Sequence, residues 1–185
     1  MTDASNAETS TPVDPVSQPT EYQALLLSFV EGRDVAEAYQ ALPARIEQVV
    51  AGAGDRLRDR PDDGEWSVLE VLGHIVDAEL MCAARLRWIL AHDEPPLPGY
   101  DQELWVARQR YNDGDPALLL SLLRAFNPLN IALWRTTPPE DRARVGIHAE
   151  RGPESFDLTF RLLAGHGLLH LDQMERTLAM LQARS

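Results

Sequence analysis

Apolar residues recur every three or four positions along most of the chain, the spacing that places them on one face of an α-helix. Residues 1–20 differ, because they are acidic and rich in Ser, Thr and Pro, with little apolar surface to bury. We therefore predict a disordered acidic tail over 1–20 and one helical domain over 21–185. The first helical region of the domain covers about 22–53 and is interrupted near Pro43, and the polar stretch 55–65 follows it.

Three further helices are predicted over about 68–92, 116–135 and 156–183. The first of these has a clear beginning, because Ser67 is followed three residues later by Glu70 and the two side chains can form a capping box. No run alternates strongly enough to predict a strand. Four long amphipathic helices with short or moderate connections predict an all-α protein, an up-and-down four-helix bundle.

The apolar stripes of these helices form the predicted core. In the helix over 68–92 the stripe is Leu69, Leu72, Ile75, Val76, Leu80, Leu86 and Ile89, and in the helix over 116–135 it is Leu119, Leu122, Phe126, Leu129 and Leu133. The prolines at 95, 96 and 98 and the polar segment 136–155 are predicted to be connections.

Charge and composition exclude several classes of function. The formal net charge of −12 leaves no basic surface for nucleic acid or for an anionic membrane, so we expect neither as a partner. No apolar run reaches the roughly 18 residues that cross a bilayer and the first residues do not resemble a secretion signal, so we expect a cytoplasmic protein. All 17 basic residues are arginine, which excludes a Schiff-base lysine and a P-loop. The single Cys82 excludes a disulfide framework and a cysteine-rich zinc module.

Two histidines, His166 and His170, stand four residues apart on the last predicted helix. Side chains at this spacing point in nearly the same direction, so both imidazoles can bind one ion at about 2.0–2.1 Å. Leu162, Leu163 and Leu169 lie beside them and indicate the core face, where an unpaired polar group costs on the order of 1–3 kcal/mol. The alternative is two buried histidines that each hydrogen-bond a backbone or carboxylate group.

His74 adds a third imidazole, at the edge of the apolar stripe of the helix over 68–92. Three nitrogen ligands from two helices leave open coordination positions, as in a catalytic site. We predict that a ring nitrogen of His74 lies within about 3–4.5 Å of a ring nitrogen of both His166 and His170. Asp77 is a further ligand or an acceptor that orients an imidazole, and the alternative is a solvated carboxylate on the helix face.

The remaining notable residues have structural interpretations. His92 ends the predicted second helix, where the helix dipole favours positive charge, and His148 is expected at the surface. Cys82 is interpreted as a small buried thiol. The tryptophans are expected in the core or in the wall of a pocket; they are Trp66, Trp88, Trp105 and Trp134.

Two segments resemble signatures of the DinB-like superfamily. In the first segment, residues 65–79, EWSVLEVLGHIVDAE, a Trp-Ser start precedes His74. The second segment, residues 163–173, LAGHGLLHLDQ, contains the pair His166 and His170. The stretch between them, with Tyr100, Trp105 and residues 148–152, is similar to the branch named for metal-dependent hydrolysis. The resemblance covers about residues 35–182.

The resemblance implies a four-helix bundle with a metal site between its second and fourth helices, where His74, His166 and His170 bind one divalent ion. Imidazole ligands do not distinguish zinc, nickel and iron. It also implies a homodimer and a small-molecule substrate, with a low-molecular-weight thiol such as bacillithiol as a candidate, in stress response or detoxification. Gln173 stands where some relatives have another histidine, which leaves open whether it joins the site and what the substrate is.

Two classes of function follow from these residues. The first is a metal-dependent enzyme, a hydrolase or a thiol S-transferase; the alternative is a non-catalytic metal-binding bundle of a stress response. Glu70 and Asp77 are the only carboxylates within a turn of His74 and neither is a convincing base, which slightly favours a reaction of a metal-bound thiolate. An open pocket at the metal would favour the enzyme, and a fourth protein ligand would favour the structural role.

Overall fold

The computed structural model of the protein describes residues 13–184, and helices account for most of them. The predicted tail over 1–20 lies outside the described residues as far as residue 12, and Pro19 already begins the first helix. The helices are α1 Pro19–Ser28, α2 Val35–Gln40, α3 Leu42–Ala53, α4 Val68–Ala91, α5 Gln102–Gln109, α6 Pro116–Thr136, α7 Pro139–Arg142 and α8 Phe156–Ala183. Short 3₁₀ turns occupy Gly54–Arg58 and Tyr111–Asp113, and the strands are β1 Pro96–Leu97, β2 Val145–His148 and β3 Gly152–Ser155.

The four long helices α3, α4, α6 and α8 form a bundle, which confirms the predicted fold class. Helix α4 packs most extensively against α8 and α6, and α3 packs against the same two helices from the other side. Consecutive helices α3 and α4 therefore lie mainly across the bundle from each other. The short helices α1 and α2 cover α8.

The predicted capping box is present at the beginning of α4. The Ser67 hydroxyl accepts a hydrogen bond from the Glu70 backbone N–H at 3.1 Å, and the Glu70 carboxylate accepts one from the Ser67 backbone N–H at 2.9 Å. Arg60 also pairs with this carboxylate. Glu70 is therefore engaged at the helix end, which fixes where α4 begins.

The apolar stripe predicted for α6 is only partly correct, because two of its leucines are exposed. Leu122 and Leu129 are 38% and 51% exposed, and Leu80 of α4 is 50% exposed. Leu119 of the predicted stripe is buried, and the other buried positions of α6 are Leu123, Asn127, Asn130 and Ile131. Leucines occur on both faces of this helix, and two of the buried positions are asparagines. Apolar periodicity therefore assigns part of the exposed face to the core.

The two asparagines serve a buried polar network. Glu79 of α4 is 1% exposed; its carboxylate accepts hydrogen bonds from the Tyr39 hydroxyl and, at 3.2 Å, from the Asn130 amide. The Asn127 amide donates to the Tyr39 backbone carbonyl at 2.8 Å. Burial raises the pKa of Glu79 to about 7, against the opposing effect of these hydrogen bonds. The network joins α2, α4 and α6 inside the core.

Helix α6 also corrects the expectation that no segment is long and apolar enough to cross a bilayer. Among residues 13–184 it is the one helix that meets that criterion, by length and composition alone. Its inner face packs against α4 and buries Asn127 and Asn130, while leucines remain on its outer face.

A three-stranded sheet, which the sequence analysis did not predict, joins the connection after α4 to the connection before α8. Strand β1 pairs parallel to β2, and β2 pairs antiparallel to β3. The strands are two to four residues long, too short for an alternating pattern to be recognised. The sheet pairs His148 with both Leu97 and Gly152 and holds its side chain inside the protein.

Helix α1 lies directly on α8 at Gly165. A β-carbon at this position would overlap the backbone carbonyl of Leu26, so the two helices approach closely only because residue 165 has no side chain. The next residue of α8 is His166. Gly165 therefore determines how near α1 lies to the histidine pair.

Candidate metal centre

The structure brings His74 of α4 together with His166 and His170 of α8. The His74 Nε2 atom lies 3.0 Å from Nε2 of His166 and 3.1 Å from Nε2 of His170, which confirms the predicted proximity. All three candidate ligand atoms lie within 4.8 Å of one another. The cluster arises because α4 and α8 are the most closely packed pair of helices and each presents its histidines to the other.

The three imidazoles are held neutral. Burial, and then the neighbouring His170, keep the pKa of His74 well below its usual range. Burial and the charges of His170, His74, Arg151 and Arg85 do the same for His166. Burial lowers the pKa of His170 to about 4, although a hydrogen bond to Gln173 opposes the shift. Near neutral pH each ring therefore keeps a lone pair for a metal ion.

Gln173 orients one of the rings. The Nδ1–H group of His170 donates to the Gln173 side-chain oxygen at 2.7 Å, so the Nε2 atom of His170 faces the cluster with its lone pair. Gln173 thus contacts a candidate ligand through its side-chain oxygen. The indole of Trp66 packs against the imidazole of His74, and the two ring centroids are 5.0 Å apart.

The donor set suits a divalent cation. A single proton on His74 Nε2 could satisfy one of its two close contacts, whereas one cation accepts all three lone pairs. Nitrogens that bind one ion at about 2.1 Å are roughly 3.0 Å apart when they subtend a right angle, close to the observed separations. Within residues 13–184 no carboxylate or thiol joins the three histidines.

Asp77 is neither a ligand nor a solvated carboxylate. It is 5% exposed and accepts two hydrogen bonds from the Gln109 amide, at 3.1 and 3.2 Å. Burial raises the pKa of Asp77, although hydrogen bonds from Tyr111 and Gln109 act in the opposite direction. Asp77 therefore anchors α5 and the turn after it to α4 and does not orient an imidazole.

A cavity of about 520 Å³ opens beside the cluster, with His166 in its wall. Residues from α1, α4, α8, the sheet and the segment before α5 enclose it. The lining includes Tyr22, Leu26, Arg85, Tyr100, His148 and Glu154. A metal ion at the cluster would therefore stand beside a space large enough for a small molecule.

Other predicted residues lie in different environments. His92 follows α4 and is exposed, as expected for a structural residue at a helix end. Cys82 is partly buried in the cavity wall, and burial raises the pKa of its thiol, consistent with an unreactive thiol. Of the tryptophans, Trp66 lies against the site and Trp134 stacks on Phe160 in the core. Trp88 is 38% exposed, contrary to expectation.

His148 corrects the sequence analysis most clearly, since it was expected at the surface. It is 2% exposed and lines the cavity from β2. Arg85 and Glu154, which the sequence analysis did not single out, are also buried there. An arginine inside an otherwise apolar helix face is the signal that could have identified Arg85.

The comparisons with known proteins agree with this picture. A sequence model of the DinB superfamily matches residues 22–174. "Putative metal-dependent hydrolase OB0782" of Oceanobacillus iheyensis is 30% identical over 108 residues, which cover 58% of this chain and 62% of that protein. "Putative metal-dependent hydrolase YfiT" of Bacillus subtilis is 27% identical over 115 residues, 62% of this chain and 65% of that protein. The chain thus matches less than two thirds of the length of these curated relatives.

A solved structure of YfiT from Bacillus subtilis, described as "a probable metal-dependent hydrolase with an unusual four-helix bundle topology", has the same fold. The TM-score is 0.67, at 21% sequence identity, and the match covers 94% of this chain and 93% of that one. At this identity the likeness concerns the fold alone. The crosswise placement of α3 and α4 fits a bundle of unusual topology.

Proposed function

The chain belongs to the DinB superfamily, and we propose that it is a metal-dependent enzyme, a hydrolase that acts on a small molecule at His74, His166 and His170. One observation carries the proposal: three neutral imidazoles converge beside a cavity of about 520 Å³ that His166 lines. A bound zinc, nickel or iron ion would supply Lewis-acid activation of water or of the substrate. His170 is oriented by Gln173, and the apolar walls at Leu162 and Leu163 limit access of bulk water to the reacting end.

The alternative, a non-catalytic metal-binding bundle, has less support. A structural site is usually closed by a fourth protein ligand, and no carboxylate, thiol or further histidine joins the three histidines in the described part of the chain. The cavity beside His166 is also larger than a closed structural site requires.

The proposal is tested on protein purified without a histidine tag. We expect about one divalent ion per chain by elemental analysis, since three imidazoles form one site. Hydrolysis in a panel of esters and amides should be lost on chelation and restored by zinc, nickel or iron. A protein that neither retains nor takes up any of these metals would contradict the proposal.

A second candidate is thiol S-transfer, favoured by the lack of a carboxylate base beside the histidines within residues 13–184. The sulfur would form a bond to an electrophilic carbon, the leaving group would depart with the electron pair of the broken bond, and the thiol proton would pass to solvent. A low-molecular-weight thiol such as bacillithiol would be the cosubstrate, in detoxification or a stress response. Turnover that requires added thiol, in the same assay panel, would select this reaction.

We further propose that the protein is a homodimer through the outer face of α6. Exposed apolar residues follow one another there at spacings of four, three, four and three, the pattern of a helix–helix seam: Leu118, Leu122, Ala125, Leu129 and Ala132. An antiparallel second copy centred on Ala125 would place Leu118 opposite Ala132 and Leu122 opposite Leu129. The face is therefore complementary to itself, as a two-fold interface requires.

The double variant Leu122→Glu/Leu129→Glu should be a monomer with unchanged helicity, because four carboxylates would meet at the seam. Sedimentation at micromolar concentration, together with circular dichroism, measures this. Leu104→Glu, at an exposed leucine of α5, is the matched control and should stay dimeric. A wild-type protein that sediments as a monomer would refute the interface.

A further inference from the structure

Beyond the histidine cluster, the cavity is lined by three buried polar side chains, each with an atom that makes no hydrogen bond to any of residues 13–184. Arg85 of α4, His148 of β2 and Glu154 of β3 are 5%, 2% and 0% exposed. The unpaired atoms are Arg85 Nε, His148 Nε2 and Glu154 Oε2. Each buried unpaired group costs about 1–3 kcal/mol, so three of them around one cavity indicate a ligand that supplies their partners.

Arg85 carries an uncompensated charge. It donates to the backbone carbonyl of Pro98, and no carboxylate among residues 13–184 lies within ion-pair distance of it. A buried cation without a counter-charge is costly, and a carboxylate is the partner that an arginine fork fits best. The other cation in the wall, Arg151, is already paired with Glu154. The floor of the cavity therefore has room for one anionic group.

The rim of the cavity limits the ligand to a small total charge. Asp101, Glu103 and Glu150 lie there and are exposed to solvent. Their carboxylates repel ligands with several negative charges, whereas Arg85 below them attracts one. This arrangement favours a monocarboxylate over a phosphate ester.

His148 is a hydrogen-bond donor toward the cavity. Its Nδ1 atom accepts from the Glu150 backbone N–H at 3.2 Å, so the ring proton resides on Nε2. Burial lowers the pKa of His148 to about 4, which keeps the ring neutral near neutral pH. Arg85 and His148 thus offer donors, and Glu154 Oε2 offers an acceptor.

Arg85 and His74 lie on the same face of α4. Arg85 follows His74 by eleven residues, which is about three turns of α4 and about 16 Å along its axis. The two side chains therefore project from the same face, and the arginine leans back toward His74, as helical side chains lean toward the N-terminus. Ala78 and Cys82 lie between them and also line the cavity.

We propose that the substrate is an elongated monocarboxylate whose carboxylate binds Arg85 and His148, and whose hydroxyl or amino group donates to Glu154. Its reactive end then reaches His166 and the histidine cluster. This inference rests on the proposed function and names the substrate class of the same site. Glu154, paired with Arg151 and within 3.3 Å of the Gln23 amide, is held rigidly enough to select that donor.

The test uses cobalt-loaded full-length protein, because binding of a thiolate to cobalt gives a charge-transfer absorption band. We titrate it with 8-mercaptooctanoate and with 8-mercaptooctanol, which differ in the carboxylate alone. The dissociation constant of 8-mercaptooctanoate should be at least about tenfold lower than that of 8-mercaptooctanol, because its carboxylate gives the buried arginine a charge-assisted hydrogen-bond partner. In Arg85→Gln the two probes should bind equally, and Arg85→Lys should retain part of the difference. Arg87→Gln, on the same helix outside the cavity, should behave as wild type.

A second measurement keeps the two proposals distinguishable. Octanoate should raise the melting temperature of the metal-free wild type more than octanol does, and not that of Arg85→Gln, because a ligand of the folded state stabilises it. Equal binding of the two thiols to the cobalt protein would overturn the carboxylate site and leave the metal centre standing. If the protein does not bind cobalt but octanoate still stabilises it more than octanol does, the metal centre is overturned and the carboxylate site stands. Circular dichroism shows that Arg85→Gln is folded; if it is not, Arg85→Lys and His148→Phe decide, and unchanged selectivity in both overturns the inference.

Discussion

Replacing both His166 and His170 with alanine is expected to remove the bound metal and the activity and to leave the bundle folded. Two of three ligands are lost, so metal content should fall from about one ion per chain to nearly none. The core contains large side chains that are fully buried, such as Tyr39, Phe156 and Leu69. Each contributes roughly 1.5–3 kcal/mol, so the fold does not depend on a metal ion. The measurement is elemental analysis together with circular-dichroism melting.

The control for this variant is His92→Ala, since His92 is exposed beyond the end of α4. It should keep wild-type metal content and wild-type activity. Melting of the double variant should remain cooperative, with a modest fall in melting temperature. Cooperative unfolding of the wild type by a chelator at room temperature would mean that the metal holds the fold together and that the open catalytic site is wrong.

The second large effect concerns stability and pH, through Glu79. Its pKa is about 7 in the folded protein against 4.5 for an ordinary glutamate, so the folded state binds more protons between these values. The free energy of unfolding that Glu79 contributes is therefore fully present below about pH 4.5 and is lost as the pH rises toward 7. Glu79→Gln has no such loss. Between about pH 5 and pH 8 the variant should gain about 2–3 kcal/mol relative to wild type.

Denaturant unfolding of both proteins at the two pH values measures this change, and the difference between the proteins is what matters. His148 and His170, with pKa values of about 4, act in the opposite direction in the same window, because their unfolded forms bind protons first. Their contribution is common to both proteins and cancels. Glu140→Gln, at an exposed carboxylate, is the control and should show no such change. A constant difference between wild type and Glu79→Gln would exclude an ionisable Glu79 in the core.

Sequence patterns predicted what depends on local chemistry. The beginning of α4 follows from Ser67 and Glu70, which need nothing beyond their own turn. The proximity of His166 and His170 follows from helical spacing, and that of His74 from the facing of two apolar stripes. The ligand role of these histidines stays a prediction until metal is measured.

The sequence was less informative where a residue acquires its role from distant partners. Asn127 and Asn130 appear polar, yet they lie inside because Tyr39 and Glu79 supply their hydrogen bonds. His148 stands in a polar segment and becomes buried through pairing of short strands that carry no recognisable pattern. Tertiary contacts of this kind cannot be inferred from hydropathy along the chain.

The close approach of α1 to α8 has a consequence for how the cavity could change in evolution. Tyr22 and Leu26 of α1 form part of the cavity wall, and their helix lies where it does because Gly165 has no side chain. A larger residue at 165 would meet the Leu26 backbone first and would push this wall outward. This position therefore sets how far the α1 side of the cavity lies from α8, so a single substitution there can widen the cavity and broaden the range of molecules that fit it, with His74, His166 and His170 retained in the sequence.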